Sequence, residues 1–344
     1  MSGQGTVLVT GGSGYIGGWC VVGLLDQGYR VRTTVRDLKR EAGVRAALAT
    51  ANKAAADPER LSFHAAELTA DAGWDEAAAG CDYVLHVASP LGIAEPKDPN
   101  ELIIPAREGA LRALNAAIRA GARRVVMTSS VAAMSHGPAG PDSVADETVW
   151  TDPAKAGVSA YSQSKTLAER AAWDLIGKAG GATTLATVNP ALVLGPVLSQ
   201  DFSGSVQVVE RLLSGRVPGL PRLGFNIVDA RDVADLHIRA MTAPEAAGQR
   251  FIAAGQWAWM ADIAAILRAR LGEKAAKVPT RNVPDFVLRL VGLVDKELAS
   301  VTPGLGRKHD YTSAKAQSVL GWTPRTLEET VVDCARSLIA VGAV

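Results

Sequence analysis

Thr10-Gly-Gly-Ser-Gly-Tyr-Ile-Gly17 stands directly behind the β-branched run Thr6-Val-Leu-Val-Thr10 and directly ahead of an apolar stretch carrying Trp19, Val21, Val22, Leu24 and Leu25. Strand, glycine-rich turn and helix in that order make a cradle for a pyrophosphate. Gly11 permits the tight turn, Gly14 lets the backbone approach an anion, and Gly17 lets helix and strand pack closely, while free N–H groups and the helix dipole face the negative charge. The run also satisfies G-x-G-x-x-G through Gly12, Gly14 and Gly17. In an arbitrary place such a pattern would read as a bland surface turn; its position at the head of a βαβ series gives it meaning. Gly11, Ser13, Gly14, Tyr15, Ile16 and Gly17 are therefore candidate dinucleotide contacts.

Outward from that turn, short β-rich runs alternate with longer helical patterns, the signature of a parallel sheet. Strands are expected at residues 6–10, 29–35, 61–65, 82–87, 124–128 and 183–188. Pro105 and Gly121 bracket an expected crossover helix with Leu111, Leu114 and Ile118 on one face. A second helix is expected over residues 158–178, ending at Gly180-Gly181. The Ala-rich residues 46–56 read as a solvated helix. After Pro190 the texture changes, with Gly and Pro scattered through Gly195-Pro196, Val217-Pro-Gly219, Pro221 and Gly224. The expected fold is α/β, a Rossmann-type doubly wound parallel sheet with a smaller, interleaved C-terminal lobe. Residues 1–190 form the dinucleotide domain, with return segments near 225–255, and 191–344 form mainly the substrate lobe.

Composition agrees with a substantial core. The chain has 344 residues, 48% of them hydrophobic but only 5% aromatic, and 36 Lys plus Arg against 35 Asp plus Glu. A net charge of +1 gives no general attraction to nucleic acid or anionic lipid. Cys20, Cys81 and Cys334 are widely spaced, forming neither a disulfide framework nor a metal pair, so a reducing, cytoplasmic setting is expected. Met1 runs almost at once into the first strand, without the basic and apolar regions of a signal peptide. The most apolar stretch, residues 182–198, is broken by Asn189, Pro190, Gly195 and Pro196, so no membrane span is expected.

The choice of dinucleotide is made at the end of the second strand, Thr34-Val-Arg-Asp37. An acid there would hold the free ribose hydroxyls of NAD, but the position holds Val35, followed by Arg36, with Lys39 and Arg40 one turn on. A guanidinium meets a 2′-phosphate with paired, charge-assisted hydrogen bonds, so NADPH is favoured over NADH, with Arg36 and Arg40 as contacts. A solvated helix start, or a ribose contact from Asp37, is the competing reading.

Tyr161 and Lys165 lie four residues apart on the second helix and so share a face. Bringing a phenol of pKa about 10 to neutrality takes roughly 4 kcal/mol, and an ammonium about 4 Å away in a partly screened site supplies that much. Tyr-x-x-x-Lys is common by chance. Its company is Thr128-Ser-Ser130 at the end of the fifth strand, where ligand sites of doubly wound sheets lie and where a hydroxyl can hold a carbonyl oxygen. Capping or turn formation is the alternative role for those hydroxyls.

At this point the chain resembles the extended short-chain dehydrogenase/reductase family, in its dihydroflavonol, aldehyde and methylglyoxal reductase branch. The resemblance spans nearly the whole chain, through Thr10–Gly17, Thr34-Val-Arg-Asp37, His86-Val-Ala-Ser-Pro90, Thr128-Ser-Ser130, Tyr161-Ser-Gln-Ser-Lys165, Asn189-Pro-Ala-Leu-Val-Leu-Gly-Pro196 and Leu320-Gly-Trp-Thr-Pro-Arg325. It implies that Ser130 and Tyr161 bind the substrate oxygen, that Tyr161 is the acid or base, and that Lys165 binds the nicotinamide ribose while lowering the tyrosine pKa. It also implies that Val87, Ala88 and Ser89 pass beneath the cofactor and that residues 190–193, with Pro190 and Val193, lie by the nicotinamide. Two departures stand out. Glu67-Leu68 replaces the branch's Asp-Leu near the adenine, and Leu192 stands where relatives acting on sugar nucleotides carry Asn, which lowers epimerase and dehydratase activity in rank.

The expected reaction is reduction of a small or aromatic aldehyde or ketone by NADP(H), with Tyr161 as proton donor. Oxidation of an alcohol or hydroxysteroid, and a non-catalytic NADP sensor, are the alternatives. Leu91, Met134, Phe202 and the 217–223 loop are expected to border an apolar substrate pocket. His64, His86, His136, His237 and His309 have no metal-ligand spacing, so no metal is expected. His86 reads as a buried strand-end residue, and Asp232 and His237 as contacts between lobes. The partner is then a small-molecule carbonyl or alcohol, with no nucleic acid and no membrane, on a monomer or homodimer.

Overall fold

Val7 and Val9 face one side of the first strand and Leu8 the other, and all three are without exposed surface, so this strand is covered on both faces. The computed structural model describes residues 4–90, 96–136, 144–202, 204–293 and 302–344. Seven parallel strands form the central sheet: β1 (Thr6–Thr10), β2 (Arg30–Val35), β3 (Leu61–Ala65), β4 (Tyr83–His86), β5 (Arg124–Thr128), β7 (Thr184–Pro190) and β10 (Gln249–Ala253), in spatial order β3-β2-β1-β4-β5-β7-β10. Strand order reverses between β2 and β4 around β1, which opens a crevice beyond their C-terminal ends.

The helices divide between the faces. On one side α1 (Tyr15–Asp26) packs on α7 (Ala230–Thr242), closely enough that a Cβ at Gly23 would touch Ile238. On the other lie α3 (Trp74–Ala78), α4 (Asn100–Arg119) and α5 (Ala160–Ala179), where Ala106, Ala110, Ala113 and Ala117 of α4 share a core with Ala168 and Ala172 of α5. Small side chains let the two helix axes approach. Helix α2 (Glu41–Ala51) follows β2, and only Leu48 on it is buried. Helix α4 starts earlier than the Pro105 signal suggests. Asp98 accepts from the N–H of Asn100, and Pro99 leads in, so Pro105 sits inside the helix. Ser159 caps α5, and Gly180 closes it in the left-handed region at φ 58°.

A small sheet orders β11 (Trp257–Trp259), β9 (Gly224–Asp229) and β8 (Leu192–Leu194), and β6 (Val144–Ala145) pairs with β12 (Asp310–Tyr311). The remaining helices are α6 (Gln207–Ser214), α8 (Met260–Leu271), α9 (Asp285–Val291), α10 (Ala314–Leu320) and α11 (Leu327–Ala340). Trp322 is fully buried and donates to the carbonyl of Asp232, while the Asp232 carboxylate takes Arg325. His237 meets Thr128 at 2.6 Å. Both residues thus serve as contacts between α7 and its neighbours. Among the described residues no helix is long and apolar enough to cross a membrane.

Candidate active site

At the head of the crevice Gly11 adopts φ +71°, and Gly14, with its N–H bonded to the Gly11 carbonyl at 2.9 Å, precedes α1 without a side-chain cap. The first-turn N–H groups of α1 have no intrahelical acceptor, the arrangement in which a helix N-terminus can receive an anion. A Cβ at Gly12 would lie 2.1 Å from the Thr33 hydroxyl, one at Gly17 2.3 Å from the Gly11 carbonyl oxygen, and one at Gly11 3.1 Å from Ala88. The turn tolerates glycine alone, and these positions fit a dinucleotide pyrophosphate. Thr10 Oγ1 accepts from the N–H groups of Val87 and Ala88 at 3.0 Å, bringing residues 87–89 against the turn. Tyr15 offers only backbone here, because its side chain is buried with the hydroxyl donating to Gly195 at 2.7 Å.

Beside the turn lies a groove of ≈ 290 Å³ whose walls include Gly12, Ser13, Lys39, Arg40, Asp201 and Phe202. Arg36 is exposed at the end of β2, and the Asp37 carboxylate is engaged by the Lys39 N–H at 2.9 Å, a local cap. Arg40 pairs with Asp201 at 2.6 Å across the groove. Glu67, at the end of β3, is exposed, and Leu68 packs against Gly109.

Further along the same edge, Ser130 accepts from the Ala132 N–H at 3.1 Å, and its hydroxyl is hydrogen-bonded to Tyr161. Its partners in the triplet point elsewhere, Thr128 to His237 and Ser129 to Glu169 at 2.5 Å. The Lys165 ammonium is buried, 5.9 Å from the Tyr161 ring centroid. Burial raises the Tyr161 pKa above the usual phenol value, and the Ser130 hydrogen bond offsets this only in part. Burial lowers Lys165 to about 8, with Glu169 opposing the fall. In the protein alone desolvation is the largest influence on both groups. His86 is buried at 3.0 Å from Thr10 Oγ1 and pushed down to about 3 by burial and the Lys165 charge, so it stays neutral.

Phosphate turn, hydroxyl pair and lysine thus line one sheet edge. The family model described as "NAD dependent epimerase/dehydratase family" matches residues 7–254. The chain belongs to that family. It is an extended short-chain dehydrogenase/reductase, a dinucleotide-dependent oxidoreductase. A cinnamoyl-CoA reductase of Medicago truncatula is 39% identical over 250 residues, covering 71% of this chain and 74% of its own. Dihydroflavonol 4-reductase of Zea mays is 36% identical over 281 residues, covering 78% and 75%. Among solved structures, yeast methylglyoxal/isovaleraldehyde reductase complexed with NADPH superposes with a TM-score of 0.79 at 24% identity, covering 98% of this chain and 100% of that one. That likeness shows the fold.

Within this extended short-chain dehydrogenase/reductase, Pro190 is buried at the end of β7, and Val193 in β8 accepts from Ser205 at 2.7 Å. Two of the residues expected at the substrate pocket have defined places in the structure. Met134 has no exposed surface, being packed on Ile252 and Ala254, and so backs the wall without bordering open space. Phe202 lines the groove by the phosphate turn together with Arg40, because the chain after β8 runs back over α1 and α2. Leu91 lies outside the described residues. Sequence reasoning missed Asp201 and Glu169. The signal for Glu169 was present: it continues the four-residue spacing of Tyr161 and Lys165 on a helix face otherwise bearing Ala168 and Ala172.

Proposed function

We propose that this extended short-chain dehydrogenase/reductase is an NADPH-dependent reductase of small or aromatic aldehydes and ketones, with Tyr161 as proton donor. When bound, the dinucleotide supplies the hydride. The turn from Gly11 to Gly17, with Ser13, Gly14, Tyr15 and Ile16, holds the pyrophosphate through backbone N–H groups. Arg36 and Arg40 receive the 2′-phosphate, Glu67 and Leu68 border the adenine, and Val87, Ala88, Ser89, Pro190 and Val193 flank the remaining length. Lys165 binds the nicotinamide ribose. Ser130, already oriented by the Ala132 N–H, holds the carbonyl oxygen beside the phenol.

One observation carries the reading: the Ser130 hydroxyl, just past β5, is hydrogen-bonded to the Tyr161 hydroxyl, with the Lys165 ammonium buried on the same helix. A phenol and a hydroxyl paired in this way converge on one oxygen of a bound carbonyl, which the phenol can protonate as the neighbouring carbon is reduced. The relatives that share more than a third of their aligned residues with this chain, a cinnamoyl-CoA reductase and a dihydroflavonol 4-reductase, support the same class. Three buried free cysteines suit a cytoplasmic setting.

The test is consumption of NADPH and NADH against a panel of aldehydes, diketones and flavonoid ketones, beside reduction of NADP by secondary alcohols. NADPH-preferring carbonyl reduction at neutral pH is expected. Turnover confined to alcohols, or tight NADPH binding with no turnover, would replace this reading by the dehydrogenase or the sensor.

A further inference from the structure

Glu169 has no exposed side-chain surface, yet it is a carboxylate on the helix that carries Tyr161 and Lys165. Its Oε1 accepts from Arg250 Nε at 2.7 Å, Thr187 Oγ1 at 2.9 Å and Trp173 Nε1 at 3.4 Å. Its Oε2 accepts from Ser129 Oγ at 2.5 Å, Asn189 Nδ2 at 2.9 Å and Arg250 at 3.3 Å. Apart from Trp173 on α5 itself, these donors come from β7, from β10 and from Ser129 just past β5, beside Ser130 and Pro190. Asn189 Nδ2 also donates to the Ser130 carbonyl at 3.2 Å. Arg250 spends its other donors on the carbonyls of Glu147 and Val149 at 2.9 Å and stacks 3.6 Å from the Trp150 ring centroid.

A buried ion pair is weak evidence of stabilisation, because desolvation of both charges offsets their attraction; replacing both partners by apolar groups is often neutral. Stability alone therefore does not account for a carboxylate at this place. We propose that Glu169 is a positioning residue for the reaction, fixing Ser130 and Asn189-Pro190 in register with Tyr161 and supplying the counter-charge of Lys165. The inference rests on the reading of Tyr161 as proton donor.

The charged and titratable groups around this network include Tyr161 and Lys165 on α5, neutral His86 at the end of β4, His237 on α7 against Thr128, Arg250 on β10, Glu147, which accepts from the Ile252 N–H of β10, and Arg170, which shares the Trp150 ring with Arg250. Helix α4 presents alanines to α5 and turns Arg112 and Arg119 to Asp71 and Asp75. Glu169 is thus the anion that opposes loss of the Lys165 proton. Making it neutral brings that loss to lower pH.

The experiment measures kcat for carbonyl reduction from pH 6 to 10, NADPH binding by fluorescence, and thermal melting, for the wild type, Glu169→Gln, the double variant Glu169→Gln/Arg250→Met, and Tyr161→Phe. The double variant leaves no unpaired buried guanidinium and so keeps the test available where the single variant does not fold. The alkaline limb of kcat is expected to move down by about one pH unit, as for charges one helical turn apart in a partly screened interior, with NADPH affinity unchanged. An alkaline limb left in place in both variants, with any fall of kcat matched by losses of NADPH affinity and melting temperature, would overturn the proposal and leave Glu169 a packing residue. Activity persisting in Tyr161→Phe would instead refute the proton-donor reading itself, so the two failures are distinct.

Discussion

Replacing Gly17 by alanine puts a methyl carbon 2.3 Å from the carbonyl oxygen of Gly11 and 2.9 Å from its carbonyl carbon. Both are backbone atoms, so no side chain can swing aside. Ordinary contact begins near 3.4 Å, and turn and helix must therefore part by about 1.1 Å. Overpacking of this kind costs about 1–3 kcal/mol. At about 2.1 cal/mol/K of unfolding entropy per residue, each kcal/mol lowers the Tm of a 344-residue chain by about 1.4 °C, giving a fall of about 1–4 °C. Binding suffers more. Misaligning one charge-assisted N–H bond to the pyrophosphate costs about 1.5–3 kcal/mol, or about 10–100-fold in Kd for NADPH. The control is Gly177→Ala in the last turn of α5, where an added Cβ meets nothing within 4 Å. The same chemical change there stabilises by up to about 1 kcal/mol and leaves binding alone. Nicotinamide fluorescence titration and calorimetric melting on both variants settle the comparison. NADPH affinity of Gly17→Ala within twofold of wild type would refute the argument that this turn holds the pyrophosphate.

Arg36→Ala and Arg40→Ala should each weaken NADPH about tenfold or more while barely changing NADH, read by fluorescence titration. Asp201→Asn should do the opposite, tightening NADPH only about two- to fivefold, because the pair it breaks is largely exposed and worth less than about 1 kcal/mol. His86 is depressed to about 3 and His237 to about 4, both from an ordinary 6.5. The unfolded chain takes up these protons first, so stability is full above about pH 6.5 and is lost as pH falls toward 4, at up to about 1.4 kcal/mol per pH unit for each histidine. Urea melts at pH 7, 6 and 5 check this, and His237→Asn should flatten the slope. Burial pushes the thiols of Cys20, Cys81 and Cys334 up, Cys81 to about 11 and Cys334 to about 12, so thiol titration at pH 8 should be slow in the native protein and fast in denaturant.

What was legible in the sequence was local. The glycines of the phosphate turn announce themselves because only glycine fits backbone pressed on backbone, and the strands because Val7, Leu8 and Val9 must satisfy two buried faces. Gly180 marks the end of α5 by capping chemistry that needs no tertiary partner. The remainder depends on contacts far apart in the chain. Glu169 meets Arg250 from 81 positions away and Arg40 meets Asp201 from 161, and no spacing rule reaches across such separations. Met134 and Phe202 were assigned to the substrate pocket by apolar character, which a wall residue and a groove residue share equally. The electrostatics of Tyr161 and Lys165 escaped for a different reason: the spacing gives the attraction between charge and phenol, whereas desolvation depends on everything packed around them.

The central claim is that Tyr161 hands its proton to a carbonyl oxygen while the dinucleotide reduces the adjoining carbon. Single-turnover oxidation of NADPH deuterated at the nicotinamide C4 position that is transferred, followed with a reducible aldehyde or ketone, tests it directly when Tyr161→Phe is run beside the wild type. The account predicts deuterium on the product carbinol carbon for the wild type, and a loss of at least about 100-fold in the chemical step for Tyr161→Phe with NADPH binding intact. Equal single-turnover rates in the two proteins, or product without deuterium, would contradict it.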